Sequence, residues 1–141
     1  MLTHEKRGTV MKIAVLTDTG SALNVIDAQK YGLYLLPLQV IDEEVSYQDG
    51  VDITTMELYE RLKKNHTPKT SMPILSVIEN QIAQIKADGY DAILSLPLSS
   101  GLSSTYNAIE VCGKDLGIPV VTIENYTTCD LQGYGAILAK H

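Results

Sequence analysis

Apolar positions along this chain come in short dense runs, separated by turn residues and amphipathic stretches. Residues 12–17 (KIAVLT), 91–96 (DAILSL) and 118–124 (IPVVTIE) are compact aliphatic and β-branched runs. Runs of this kind mark strands buried on both faces of a parallel sheet. Residues 33–41 are also apolar, but Pro37 interrupts them. Proline cannot donate to a ladder, so this strand starts late or has an edge there. Residues 45–47 read as a short hairpin partner in an acidic, turn-rich stretch.

Helical spacing fills the intervals. Over residues 22–31, Leu23, Ile26 and the stem of Lys30 share a face, and Gly32 is placed to end the helix. Thr54-Thr55-Met56-Glu57 has the form of a capping box opening a helix to about residue 65. Ser76-Val77-Ile78-Glu79 predicts a second box, with Ile78, Ile82 and Ile85 as the buried stripe of a helix reaching Ala87. Residues 105–116 read as a helix stopped by Gly117. Asp130 is expected to cap a last helix that runs to the chain end.

Strands alternating with helices predict an α/β fold, a doubly wound and mostly parallel sheet flanked by helices in a flavodoxin-like arrangement. Residues 11–141 read as one α/β domain. Residues 1–10 read as a disordered extension or a cloning remnant, without the apolar centre of a signal peptide.

Composition narrows the function. The 141 residues carry a net charge of -6, with no Phe or Trp and eight Tyr. An acidic chain without a Lys/Arg cluster repels phosphate backbones, which argues against nucleic-acid binding. No apolar run is long enough for membrane insertion. The two cysteines, Cys112 and Cys129, form no CxxC pair and have no nearby His, so they predict reduced thiols in a cytoplasmic protein and no metal site.

In open α/β sheets, ligands bind beyond the carboxyl ends of the strands, which directs attention to three loops. Thr17-Asp18-Thr19-Gly20-Ser21 follows the first strand and reads equally as a ligand loop or a helix-cap cluster. A flavodoxin would cradle a flavin phosphate here, but Asp18 puts a carboxylate in that place. Pro68-Lys69-Thr70-Ser71-Met72-Pro73 holds two hydroxyls between stiffening prolines. It suits a fixed anion, or serves as a plain connector. Leu98-Ser99-Ser100-Gly101-Leu102-Ser103-Ser104-Thr105 places five hydroxyl residues within seven positions before a helix. Gly101 permits a positive φ and a tight turn. The helix start offers N–H groups and partial positive charge to an oxyanion. Capping alone needs one Ser.

A nucleophile with its base is not evident. His4 lies in the extension, His141 is the last residue, and His66 sits at a helix end where a cation is favourable. The acidic residues Asp42, Glu43, Glu44, Asp49 and Asp52 read as a solvated face.

Residues 11–21 (MKIAVLTDTGS), 68–73 (PKTSMP) and 98–108 (LSSGLSSTYNA) together resemble the DegV family. Its patterns run as a VTDST-type first strand, a TSQP loop and an LSSGLSGTYQSA loop. Residues 47–53 (YQDGVDI) resemble its YxDGVDI stretch. The resemblance implies binding of a long-chain fatty acid in a tunnel between two lobes, with no cofactor and no catalytic residue. It implies that Thr70, Ser71 and Ser103 grip the carboxylate, with Ser100 as a secondary candidate. It also implies presentation of the acid to a fatty acid kinase catalytic subunit. Met72 stands where the pattern has Gln, Ser104 where it has Gly, and residues 124–129 depart from the IDSRSAS pattern. The family's C-terminal lobe is not represented in residues 11–141, so this chain is expected to keep half a cleft and to bind lipid weakly. The alternative is a flavodoxin-like domain binding a flavin or phosphate ligand, resting on residues 17–21.

Overall fold

The structure, a computed structural model, describes residues 10–124 and 126–141. Apart from Val10, the extension expected over residues 1–10 lies outside the described residues. Strand β1 (Ile13–Asp18) lies in a four-stranded parallel sheet with β2 (Tyr34–Leu36), β6 (Ala92–Leu96) and β7 (Val120–Thr122), in the order β2-β1-β6-β7. Alternation along β1 sends Ala14 and Leu16 to one face and Val15 to the other. The first face is sealed by α3 (Leu75–Ala87) and α4 (Thr105–Leu116), through Ile78, Ile82, Ile85 and Ile109, all fully buried. The second is covered by α1 (Val25–Tyr31) and α5 (Cys129–Lys140), through Ala28 and Ala136. The doubly wound parallel sheet is thus present.

A second sheet departs from the single-sheet expectation. β3 (Gln39–Asp42) pairs antiparallel with β4 (Val45–Gln48) and with β5 (Lys69–Ser71). Pro37 is the cause of the split. The apolar run 33–41 breaks there, and its halves enter different sheets. Between β4 and β5, α2 (Thr55–Lys63) opens on the predicted capping box, with both reciprocal bonds of Thr54 and Glu57 present.

Three sequence expectations of helix starts are corrected. Residues 19–21 form a 3-10 turn, Ala22 is left-handed, and α1 begins only after Asn24, whose side chain caps Asp27 N. Helix α3 starts at Leu75, with Ile74 at the cap position after buried Pro73, so Ser76 lies inside it and the second capping box does not form. Helix α5 is entered through Thr128, leaving Asp130 in its first turn, where its charge favours the positive end of the helix dipole.

Asp42 is corrected too. It is 2% exposed, not solvated, and its carboxylate accepts from Arg61 Nη1 at 2.7 Å and contacts His66 Nδ1 at 2.9 Å. His66 therefore has a carboxylate partner as well as a place near a helix end. The Arg61 guanidinium, followed by His66, holds the Asp42 carboxyl below its ordinary value. A carboxyl with a depressed folded pKa stabilises the fold above its unfolded pKa and loses that contribution as pH falls through the folded value. Asp42→Asn is therefore expected to lower the thermal midpoint at neutral pH. It should also flatten the loss of stability below about pH 4, where free carboxylates titrate. Melting curves across that range check both effects.

Candidate functional site: a hydroxyl-lined cleft at the switch point

From β1 the chain first adds β2 on one side, and β6 later joins on the other. The strand order therefore reverses between β1 and β6, the place where open α/β sheets bind ligands. The turn after β1 and the loop after β6 meet there.

A cleft of about 310 Å³ opens beside these turns. One wall is Leu38 with Thr70, Ser71 and Met72, carried by the small sheet and the residue after it. The other is Leu98, Leu102, Ser103 and Ser104, from the loop after β6. Thr70, Ser71 and Ser103, singled out from separate sequence loops, thus line one cavity. Leu38, Met72, Leu98 and Leu102 supply its apolar surface. Those apolar residues were not predicted, because an isolated Leu in a loop has no periodicity to mark it.

Local structure explains how each hydroxyl is held. Pairing of β5 with β3 sets Thr70 opposite Val40 and Ser71 opposite Gln39. The Gln39 side chain then donates to the Met72 carbonyl at 2.8 Å, fixing the strand's end. Across the cleft, the Leu102 and Ser103 N–H groups both donate to the Ser99 carbonyl, at 2.9 and 3.1 Å. This closes a turn just before α4. Gly101 is not among the glycines with positive φ, so the expected left-handed turn is absent. Instead its N–H donates to Ser99 Oγ at 3.3 Å.

Ser103 Oγ accepts from Thr105 N at 3.2 Å and lies 2.7 Å from Thr105 Oγ1. When the buried Thr105 hydroxyl donates in that pair, the Ser103 proton is left to donate into the cleft. The positive end of α4 lies behind it. Ser104 reaches over to the opposite wall, its hydroxyl donating to Met72 Sδ at 3.4 Å. The two departures from the family pattern therefore touch each other.

Ser100 is not brought to this cleft. It lines a neighbouring cavity of about 220 Å³ with Tyr106, Glu110, Thr122 and Glu124, and its hydroxyl donates to the Glu124 carboxylate. The turn on Ser99 separates the two hydroxyls, a division invisible in a run of serines.

The loop after β1 is turned inward. Ser21 is 1% exposed and its hydroxyl donates to the Asp18 carbonyl at 2.7 Å. Thr19 Oγ1 accepts from Leu38 N at 3.0 Å. The flavin-phosphate alternative is weakened, since Asp18 and Ser21 are buried and half-exposed Thr19 is bonded to Leu38 N. Among the described residues no group of acidic, His and Cys side chains is arranged to hold a metal. No described helix is long and apolar enough to cross a membrane.

A family model described as "Uncharacterised protein, DegV family" matches residues 12–141. The chain belongs to the DegV family. Among curated DegV relatives, Protein DegV of Bacillus subtilis is 29% identical over 131 residues, covering 92% of this chain and 46% of that protein. DegV domain-containing protein BH3627 of Halalkalibacterium halodurans is 30% identical over 123 residues, 86% of this chain and 44% of the relative. This DegV chain thus spans about half the length of the curated relatives it matches. Two solved structures are similar at 29% identity. The crystal structure of DegV from Bacillus subtilis, described as a fatty acid binding protein, gives a TM-score of 0.83 over 92% of this chain and 46% of its own. Hypothetical protein TM841 from Thermotoga maritima, described as revealing fatty acid binding function, gives 0.81 over 92% and 48%.

Proposed function

We propose that this DegV-family chain holds the carboxylate of a long-chain fatty acid through Thr70, Ser71 and Ser103, with residues 11–141 acting as the N-terminal lobe of a carrier. The observation that carries the reading is the cleft at the switch point, lined by Thr70 and Ser71 of β5 and by Ser103 of the turn before α4. Similar structures described as fatty acid binding proteins support it. A carboxylate is matched by neutral hydroxyl donors backed by a helix N-terminus, which stabilise charge without a cation in contact.

The cleft's 310 Å³ lies near the lower end of the roughly 300–1,000 Å³ typical of small-ligand sites. It is an open cleft and covers a ligand from one side only. Each methylene buried contributes about 0.8 kcal/mol, so a second lobe covering the rest of the chain would supply most of the affinity. In this reading the chain holds the carboxylate and leaves the chemistry to a partner. The carrier would present it, in the cytoplasm, to a fatty acid kinase catalytic subunit that supplies the chemistry.

Calorimetric titration with dodecanoate and with dodecanol separates head-group recognition from grease. The acid should bind and the alcohol bind at least about tenfold more weakly, the worth of one charge-assisted hydrogen bond. Equal affinity for both would contradict the reading.

A further inference from the structure

Strand β1 ends in a carboxylate with no solvent. Asp18 is fully buried, and its hydrogen-bond partners carry no charge: Leu98 N at 2.7 Å, Gly20 N at 2.9 Å and Gln132 Nε2 at 2.9 Å. Burial pushes its carboxyl above the ordinary value, although Leu98, Gln132 and Gly20 pull the other way. A carboxyl with a raised folded pKa favours the fold below its unfolded pKa and loses that contribution as pH rises through the folded one. The charged group therefore weakens the fold near neutrality, and local capping of Gly20 alone does not require it.

What the group touches explains its presence. Leu98 opens the loop that carries Ser103, and Leu98 itself lines the cleft. The next residue, Thr19, accepts from Leu38 N at 3.0 Å, and Leu38 lines the opposite wall. One two-residue turn thus grips the backbone of both walls. Gln132 braces it from α5, its Nε2 lying also 3.1 Å from Thr17 Oγ1 and 3.2 Å from the Leu96 carbonyl, so its two N–H groups are shared among three acceptors.

We propose that Asp18 and Thr19 are the positioning residues of the cleft, Asp18 fixing the wall that bears Ser103 and Thr19 fixing the wall that begins at Leu38. The consequence for ligand affinity rests on the carboxylate-binding reading above; the coupling between the two walls does not.

Amide resonances of the isotope-labelled 141-residue chain, followed against pH without ligand, test the coupling. The Leu98 and Gly20 signals should titrate with a midpoint above that of a free carboxylate. Leu102 and Ser103 should follow with the same midpoint. All four movements should vanish in Asp18→Asn, whose unshifted core signals check that it folds. Leu98 moving while Ser103 stays still would make Asp18 a local brace and overturn the proposal.

At neutral pH, Asp18→Asn and Thr19→Val should each weaken dodecanoate binding by about tenfold, one hydrogen bond's worth of positioning. Their core signals, such as Ile82, should stay in place. Wild-type affinity in both variants would also overturn the proposal. A wild-type chain that binds no dodecanoate sinks the carboxylate reading instead, and the pH titration still decides the coupling.

Discussion

A chain carrying both Thr70→Val and Ser103→Ala should lose most of its affinity for dodecanoate while keeping its fold. Hydrogen bonds to a charged partner contribute about 1.5–3 kcal/mol each. A tenfold change corresponds to about 1.4 kcal/mol. Each hydroxyl is therefore expected to account for roughly a tenfold to hundredfold change in dissociation constant, provided that both donate to the same carboxylate. Thr70 is exposed on β5, and Ser103 is half-buried before α4 with its side-chain bonds confined to Thr105, so the aliphatic core is left in place and a melting curve checks the helix start. The comparison that matters is with dodecanol, whose weaker binding should barely change in the double variant. Calorimetry of both ligands against both proteins measures this. Equal losses for acid and alcohol would mean that the substitutions had damaged an apolar wall, not a head-group site.

The largest expected loss of stability lies on the opposite side of the molecule's logic, in α3. Ile82 is fully buried and sits between Ile78 and Ile85 on the stripe that seals the parallel sheet. Ile82→Ala removes buried methyl groups and leaves a void that close-packed neighbours fill only in part. Such truncations cost about 2–5 kcal/mol. Domains of this kind have only about 5–15 kcal/mol of total stability. The variant should therefore unfold at much lower denaturant, with an unchanged slope of free energy against denaturant. A loss well under about 1 kcal/mol would mean that this helix does not close the core as described.

The two central strands of the parallel sheet were legible in the sequence because they announce themselves, whereas the run 118–124, also expected to be buried on both faces, forms an edge strand with Val121 exposed. Buried-both-sides runs at 12–17 and 91–96 have no competing reading as helices, being too short and too β-branched. The capping box at Thr54 was legible for a similar reason: its bonds span only three residues. The box at Ser76 was equally legible and did not form. Buried Pro73 precedes it, Ile74 takes the cap position, and the first turn begins at Leu75, so Ser76 comes too late to cap.

The second sheet was out of reach for another reason. Pro37 marks a break, but nothing local tells that Tyr34–Leu36 pairs with β1 while Gln39–Asp42 pairs with β4 and β5. Asp42 shows the same limit. Its partners Arg61 and His66 lie 19 and 24 residues away, so a buried ion pair looked like one more acid in a solvated stretch.

The candidate site was readable in its chemistry and not in its assembly. Hydroxyls flanked by prolines and a helix start advertise an anion, and the family resemblance selected Thr70, Ser71 and Ser103 among them. Ser100 and Ser103 carry the same side chain three positions apart. Only the turn closed on Ser99 assigns them to different cavities. Asp18 stood in a loop that read equally as a ligand loop or a cap cluster; it does accept from Gly20 N, but its contact with Leu98 spans 80 residues and no spacing rule reaches so far.

A crystal structure of this chain grown with dodecanoate tests the central claim most directly. The carboxylate is expected about 2.5–3.0 Å from the hydroxyls of Thr70 and Ser103, at the mouth of α4. A carboxylate seated instead beside Ser100 and Glu124, or a chain bound only through exposed apolar surface, would contradict it.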